Sequence, residues 1–211
     1  MAKFDLKTAH RDVYSGREGV IALVEVPPLK YLAIDGEGDP NTATDYTDAV
    51  TALFSLAYAI KFASKASARD FAVGPLEGLW RSDDLGAFRR REKGSWQWTM
   101  LIAQPDWIRE EQLADAAESA RKKRKGTPHL ERVRLITLTE GLSAQVLHVG
   151  SYDDEGPILA RLHDEYLPQQ DLAPRGDHHE VYLGDPKRTV PEKLKTLLRQ
   201  PVERIGGVRA S

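Results

Sequence analysis

Residues 76–80, Leu76-Glu77-Gly78-Leu79-Trp80, and residues 179–183, His179-Glu180-Val181-Tyr182-Leu183, decide how this chain is read. Both are short strand-like runs, both follow a helix-period segment, and both place a glutamate second. Ahead of the first run, Tyr46, Val50, Leu53, Ala57 and Ile60 recur at three- and four-residue steps, so residues 42–65 form a helix with these on one face. Ahead of the second, Ile158, Leu162 and Tyr166 line a helix over about 155–167 that Pro168 ends. A strand-like run precedes each helix, at 29–35 and at 144–149, and each half adds a further strand, at 95–104 and at 201–205. The expectation is an α+β fold of duplicated strand-helix-strand-strand modules with pseudo-two-fold symmetry. A central ligand cleft between the halves follows naturally from such an arrangement.

Residues 1–18 read as a polar lead-in. Residues 19–211 read as a single domain of two modules, about 19–105 and 130–211, joined by a helix over 107–125. Runs at 20–26 and 29–35 are interrupted by Pro27 and Pro28, which cannot donate to a ladder and so mark an edge or a bend. Gly36 and Gly38 are expected to close the next turn. Strand-like runs at 71–80 and 95–104 flank a charged loop, 81–94, and Trp96, Trp98, Met100 and Ile102 alternate with Gln97 and Thr99 as one buried stripe. The helix over 107–125 carries acids early and bases late, ending in Arg121-Lys122-Lys123-Arg124-Lys125 before Gly126; this complements its dipole and reads as a solvated helix end. A further strand-like run covers 133–138. Thr189-Val190-Pro191-Glu192 has the form of a capping box opening a short helix with Leu194, Leu197 and Leu198.

The 211 residues include 30 Lys and Arg against 32 Asp and Glu, a formal net charge of −2. That balance argues against a sequence-blind nucleic-acid or membrane binder, since both rest on a broad positive excess. With 41 % apolar residues a sizeable core can form, and with no cysteine there is no disulfide, thiolate nucleophile or Cys-ligated metal. No apolar run approaches a membrane span and the N-terminus lacks a secretion signal, so a cytoplasmic location is expected. No GxSxG, phosphate-cradling glycine loop or HExxH is present, and no cofactor is expected.

On an extended strand His178, Glu180 and Tyr182 share one face, while His179, Val181 and Leu183 share the other and pack inward. A glutamate flanked by aromatics could hold a cation by charge and ring-face attraction, or act as an acid or base; a solvated sheet face with ordinary polar residues is the third reading. The doublet His178-His179 cannot chelate a metal on a regular strand, and no metal is expected. Gly78 permits a bulge that would let Glu77 and Trp80 approach a common site. Tyr152 opens an acidic turn within reach of a cleft, and His148 reads as a hydrogen-bonded core histidine.

The runs PPLKYLAIDGEGDP, GPLEGLW, SWQWTMLIAQPDWI, QVLHVGSYDDE and HHEVYLGDPKRTVPEKLKTLLRQPV together resemble the stand-alone GyrI-like small-molecule-binding proteins, from about residue 29 to 201. The resemblance implies paired modules about a pseudo-two-fold axis with a ligand cleft, and a ligand-facing glutamate at Glu180. It implies binding of hydrophobic, aromatic or cationic small molecules, with hydrolytic detoxification of cyclopropanoid electrophiles in some members. In that reading Glu180 is the catalytic carboxylate, and Tyr182, Tyr152, Trp80, Glu77 and His178 are ligand-binding candidates. The family motif places a second tryptophan after Gly-Leu-Trp, where this chain has Arg81. A non-catalytic protein-interaction role such as gyrase inhibition is the alternative; no direct nucleic-acid partner is expected, and no protein partner is specified.

Overall fold

The diproline Pro27-Pro28 separates strand Ala22–Val26 (β1) from strand Leu29–Glu37 (β2), and it is also where the chain passes from one compact unit to the other. The computed structural model describes residues 3–81, 96–123 and 126–205. One unit comprises Met1–Arg11 with Pro28–Leu138, and the other Asp12–Pro27 with Thr139–Ser211. The charged loop at 82–94 and the basic residues 124 and 125 lie outside the described residues.

In the first unit Phe4 bridges Phe71, and a one-turn helix Leu6–Ala9 (α1), capped by the Asp5 carboxylate, follows it. After β2 comes helix Thr44–Ala66 (α2), then strands Leu76–Arg81 (β3) and Gln97–Gln104 (β4), helix Glu110–Lys123 (α3) and strand Arg134–Leu138 (β5). The strands pair antiparallel in the order β5-β2-β4-β3. Ala49, Ala52, Leu53, Leu56, Ala57 and Ile60 of α2 are fully buried, and the helix packs on β2, β4 and α3. These apolar side chains at three- and four-residue steps are what make the segment a helix and fix its inward face.

The second unit repeats the pattern. Strand Gly141–Val149 (β6) is followed by helix Gly156–Ala160 (α4), which runs into a π-helical stretch Arg161–Tyr166 and a last turn Leu167–Gln169. Strands Leu172–Pro174 (β7), His178–Tyr182 (β8) and Lys195–Arg204 (β9) complete it. The antiparallel order is β1-β6-β9-β8, with β7 pairing the far end of β9. Matching each unit strand for strand gives the same β-α-β-β order, with an added strand beside its first strand. The fold is α+β and internally repeated. Ala144, Leu162, Leu167, Leu172 and Val202 form the core under α4 and its π-helical continuation.

Several local expectations are corrected. The segment after the capping-box pattern is not a helix: only Pro191–Lys193 makes a 3-10 turn, and Leu197 and Leu198 lie within β9. β9 is paired along both edges, by β6 and β8, and Thr196–Val202 are buried on both of its faces, so its run of adjacent leucines carries no alternation to betray a strand. The helix over 156–169 does not stop at Pro168, whose missing N–H is tolerated in a last turn re-started after the π-helical stretch. The strand-like run from 71 is paired as a strand only from Leu76. The apolar residues Leu6, Val13 and Tyr14 of the polar lead-in are buried.

Gly36 is not a turn residue. It lies inside β2, opposite Trp98 of β4, and a Cβ there would fall 2.1 Å from the indole Cη2. The glycine is the socket for a fully buried tryptophan, and Gly38, with φ +98°, takes the turn. Gly36→Ala is expected to destabilise the protein by about 3 kcal/mol or more through overpacking, measured by denaturant unfolding. An unchanged midpoint would contradict the socket.

Beneath β8 and β9 lies a buried polar network. Glu140 Oε1 is 2.9 Å from His179 Nδ1, and Glu140 Oε2 accepts from Arg199 Nη1 at 2.9 Å. Arg199 also donates Nε to Gln145 Oε1 at 2.9 Å and Nη2 to the Val13 carbonyl at 2.6 Å, while Gln145 donates to the Ser15 carbonyl at 2.9 Å. The network thus ties the segment 13–15 to the sheet, and its Glu140 carboxylate accommodates the polar ring that the alternation of β8 turns inward at His179. Burial alone would raise the Glu140 carboxyl, but His179 and Arg199 outweigh it and hold the pKa at about 2 against an ordinary 4.5. A depressed carboxyl stabilises the fold above its unfolded value and loses that contribution as pH falls through its folded value. About 3 kcal/mol should therefore vanish between about pH 4.5 and pH 2, a loss that a Glu140→Gln variant should not show in an unfolding series across pH.

Candidate functional site

The alternation of β8 sends His178, Glu180 and Tyr182 out on one face, with His179 and Val181 fully buried on the other. Glu180 Oε2 accepts a hydrogen bond from the Tyr182 hydroxyl at 2.8 Å, and Glu180 Oε1 stands 3.6 Å from His178 Nε2. The Glu180 side chain is 12 % exposed and that of His178 7 %, so the carboxylate is largely withdrawn from water. These contacts sit two residues apart on one strand, and the strand period makes them neighbours.

Tyr152 reaches the same cluster from the turn after β6. Gly150 at φ +149° bends the chain there, His148 Nε2 meets the Ser151 carbonyl at 3.0 Å, and Ser151 Oγ donates to Asp154 Oδ2 at 2.6 Å. His148 is accordingly half-buried and hydrogen-bonded. The Tyr152 ring meets the Tyr182 ring edge-on, with centroids 5.6 Å apart and planes at 77°. Burial, with the negative charges of Glu155, Glu180 and Asp185, pushes the Tyr152 hydroxyl up to about 12, so it stays a protonated donor at neutral pH.

His163 is the member that sequence reasoning missed. It lies in the π-helical stretch, and its ring centroid is 6.4 Å from that of His178. The wider turn re-phases the helix after the buried Leu162, a shift that a 3.6-residue period does not anticipate.

Glu77 and Trp80 belong to the first unit. β3 pairs with β4 without interruption from Leu76↔Ile102 to Arg81↔Gln97, so the bulge expected at Gly78 is absent and these two side chains leave opposite faces. The Trp80 indole instead folds back over Gly78, whose added Cβ would lie 2.9 Å from the indole Nε1. Trp80 stacks on Tyr46 at 6.5 Å and meets Trp96 edge-on at 5.6 Å, while Tyr46 meets Trp98 edge-on at 5.3 Å. Trp98, Met100 and Ile102 are fully buried and Trp96 half-buried, so the stripe read from alternation is core except at its Trp96 end. Glu77 is fully buried.

Chemically the second unit therefore offers a shielded carboxylate with a phenol donor, an imidazole and a second aromatic ring around it. Such a group can neutralise a cation, order a water molecule or accept its proton. Among the described residues no group of three His, Asp or Glu side chains is placed to hold a metal ion.

The family model for the GyrI-like small molecule binding domain matches residues 20–203. The chain belongs to the GyrI-like family. Its fold is close to two Listeria innocua structures: an uncharacterised conserved protein, 35 % identical with a TM-score of 0.86, and a protein described as a hydrolase, 34 % identical with a TM-score of 0.85. These cover 95 % and 96 % of this chain and all of their own. The C-terminal domain of EcmrR shares the GyrI-like fold at 11 % identity and a TM-score of 0.57, over 88 % of this chain and 98 % of its own. A comparison with curated proteins gives no match. Among the described residues no helix is long and apolar enough to cross a membrane.

Proposed function

We propose that this GyrI-like protein binds flat hydrophobic or aromatic small molecules, cationic ones preferentially, with Glu180 as the anionic anchor and Tyr182, Tyr152 and His178 as its contacts. The observation that carries the proposal is the Glu180 carboxylate, 12 % exposed, braced by the Tyr182 hydroxyl at 2.8 Å and edged by aromatic rings. A carboxylate in a shielded, low-dielectric place attracts a cation more strongly than one in water, and ring faces add to that attraction. In the first unit the proposal extends to Trp80, which sits among Tyr46 and Trp96; Glu77, fully buried on the other face of β3, does not share that place with it.

The proposal includes hydrolytic detoxification of cyclopropanoid electrophiles, in line with the 34 % identical Listeria innocua protein described as a hydrolase. Glu180 orients a water molecule and accepts one of its protons as the oxygen bonds to a strained ring carbon. The ring C–C bond breaks, its electron pair passes into the conjugated system, and the proton is returned there, so the net change is addition of one water. Strain supplies much of the driving force, and one positioned base contributes about 10²–10⁴-fold. The test is mass spectrometry of a cyclopropane-bearing DNA alkylator incubated with the protein and with Glu180→Gln. A water-added product formed many times per protein molecule, and lost in the variant, is expected. Binding without product would remove the hydrolytic part and leave the binding role; neither would overturn both for that compound.

A further inference from the structure

The buried face of α2 accounts for one side of the helix only. Along the other, Phe54, Tyr58 and Phe62 form a ladder at four-residue steps, with ring centroids 6.4 Å and 6.3 Å apart and planes within 29° of each other. Tyr58 is 47 % and Phe62 62 % exposed, and Lys61 Nζ lies 5.3 Å from the centre of the Phe62 ring. Single exposed apolar side chains are ordinary, whereas consecutive aromatics on one exposed helical stripe mark an interaction surface.

The stripe itself indicates the occupant. Beside Phe54, its N-terminal half carries the small residues Thr47, Thr51 and Ser55, and its C-terminal half the large, exposed Tyr58 and Phe62. Charge runs the same way, with Asp48 early and the exposed Lys65 late. Two such helices laid antiparallel about a two-fold axis midway between positions 56 and 57 satisfy both gradients in one register. Tyr58 then faces Ser55 of the other copy, Phe62 faces Thr51, and Lys65 faces Asp48. Large meets small and cation meets anion, twice over by symmetry, and the two helix dipoles oppose one another.

We propose that α2 is the interface of a homodimer, formed by antiparallel pairing of this helix with its copy. The inference is independent of the Glu180 site. It is tested by sedimentation velocity of the full chain over a concentration series. A concentration-dependent dimer is expected. Phe62→Glu, at an exposed position, should weaken it about a hundredfold without changing the circular dichroism, since it removes an aromatic anchor and places a carboxylate in the apolar contact, at both ends by symmetry. Asp48→Lys and Lys65→Glu should each weaken self-association about tenfold, because each places like charges together at both ends. Mixed in equal amounts, these two variants should form a heterodimer of near-native affinity, since both ends then pair opposite charges. A wild-type chain that stays monomeric, a dimer indifferent to Phe62→Glu, or a mixture that fails to recover would overturn the proposal.

Discussion

Glu140→Ala is expected to cost about 3–5 kcal/mol of stability, because it leaves two buried cations or donors facing an empty place. Arg199 is fully buried and His179 likewise, and Glu140 supplies one oxygen to each at 2.9 Å. The guanidinium is also held by Gln145, the Val13 carbonyl and the edge of His179, which are not anionic and do not replace the carboxylate's charge. Denaturant unfolding checks the size of the effect. A double-mutant cycle with Arg199→Met checks its origin: the pair should be less destabilised than the two single changes added together, because a buried hydrophobic replaces a stranded charge. Strict additivity would show that the two groups do not act as a unit. Because the network also holds segment 13–15, amide exchange near Val13 should rise in Glu140→Ala before the rest of the unit opens.

Glu180→Gln keeps the shape of the site and removes its charge. Affinity for a flat aromatic cation should fall by about 2 kcal/mol, roughly thirtyfold, the usual worth of a hydrogen-bonded charged contact in a shielded setting. The Tyr182 hydroxyl can still donate to the amide oxygen, so stability should change little and the loss should appear in binding alone. Tyr182→Phe provides the complementary case. It frees the carboxylate from its brace, and a smaller loss in binding is expected, since the charge remains.

How much of this was legible in the residues differs by element. The α2 face showed itself through Leu53, Ala57 and Ile60 because one side is buried and the other is not. β8 was legible for the same reason: a two-residue period put His178, Glu180 and Tyr182 together, and the contacts follow that period. β9 was not, since a strand paired on both edges and buried on both faces has no period to read, and its Leu197-Leu198 pair behind a capping-box pattern imitates a helix. Gly36 could not be distinguished from a turn glycine without knowing that Trp98 lies across it, a contact made over 62 positions of chain. His163 depended on a π-helical turn, and the Glu140–Arg199 pairing on two residues far apart in sequence. Local period finds faces; long-range partners come only with the fold.

The central claim is that Glu180 supplies charge recognition in the binding site. The direct measurement is calorimetric titration of the protein, and of Glu180→Gln, with a planar aromatic cation and with a neutral compound of the same shape. The account predicts that the native protein prefers the cation by about tenfold or more and that the preference disappears in the variant, while affinity for the neutral compound is unchanged. Equal affinity for the two compounds in the native protein, or a preference that survives Glu180→Gln, would contradict it.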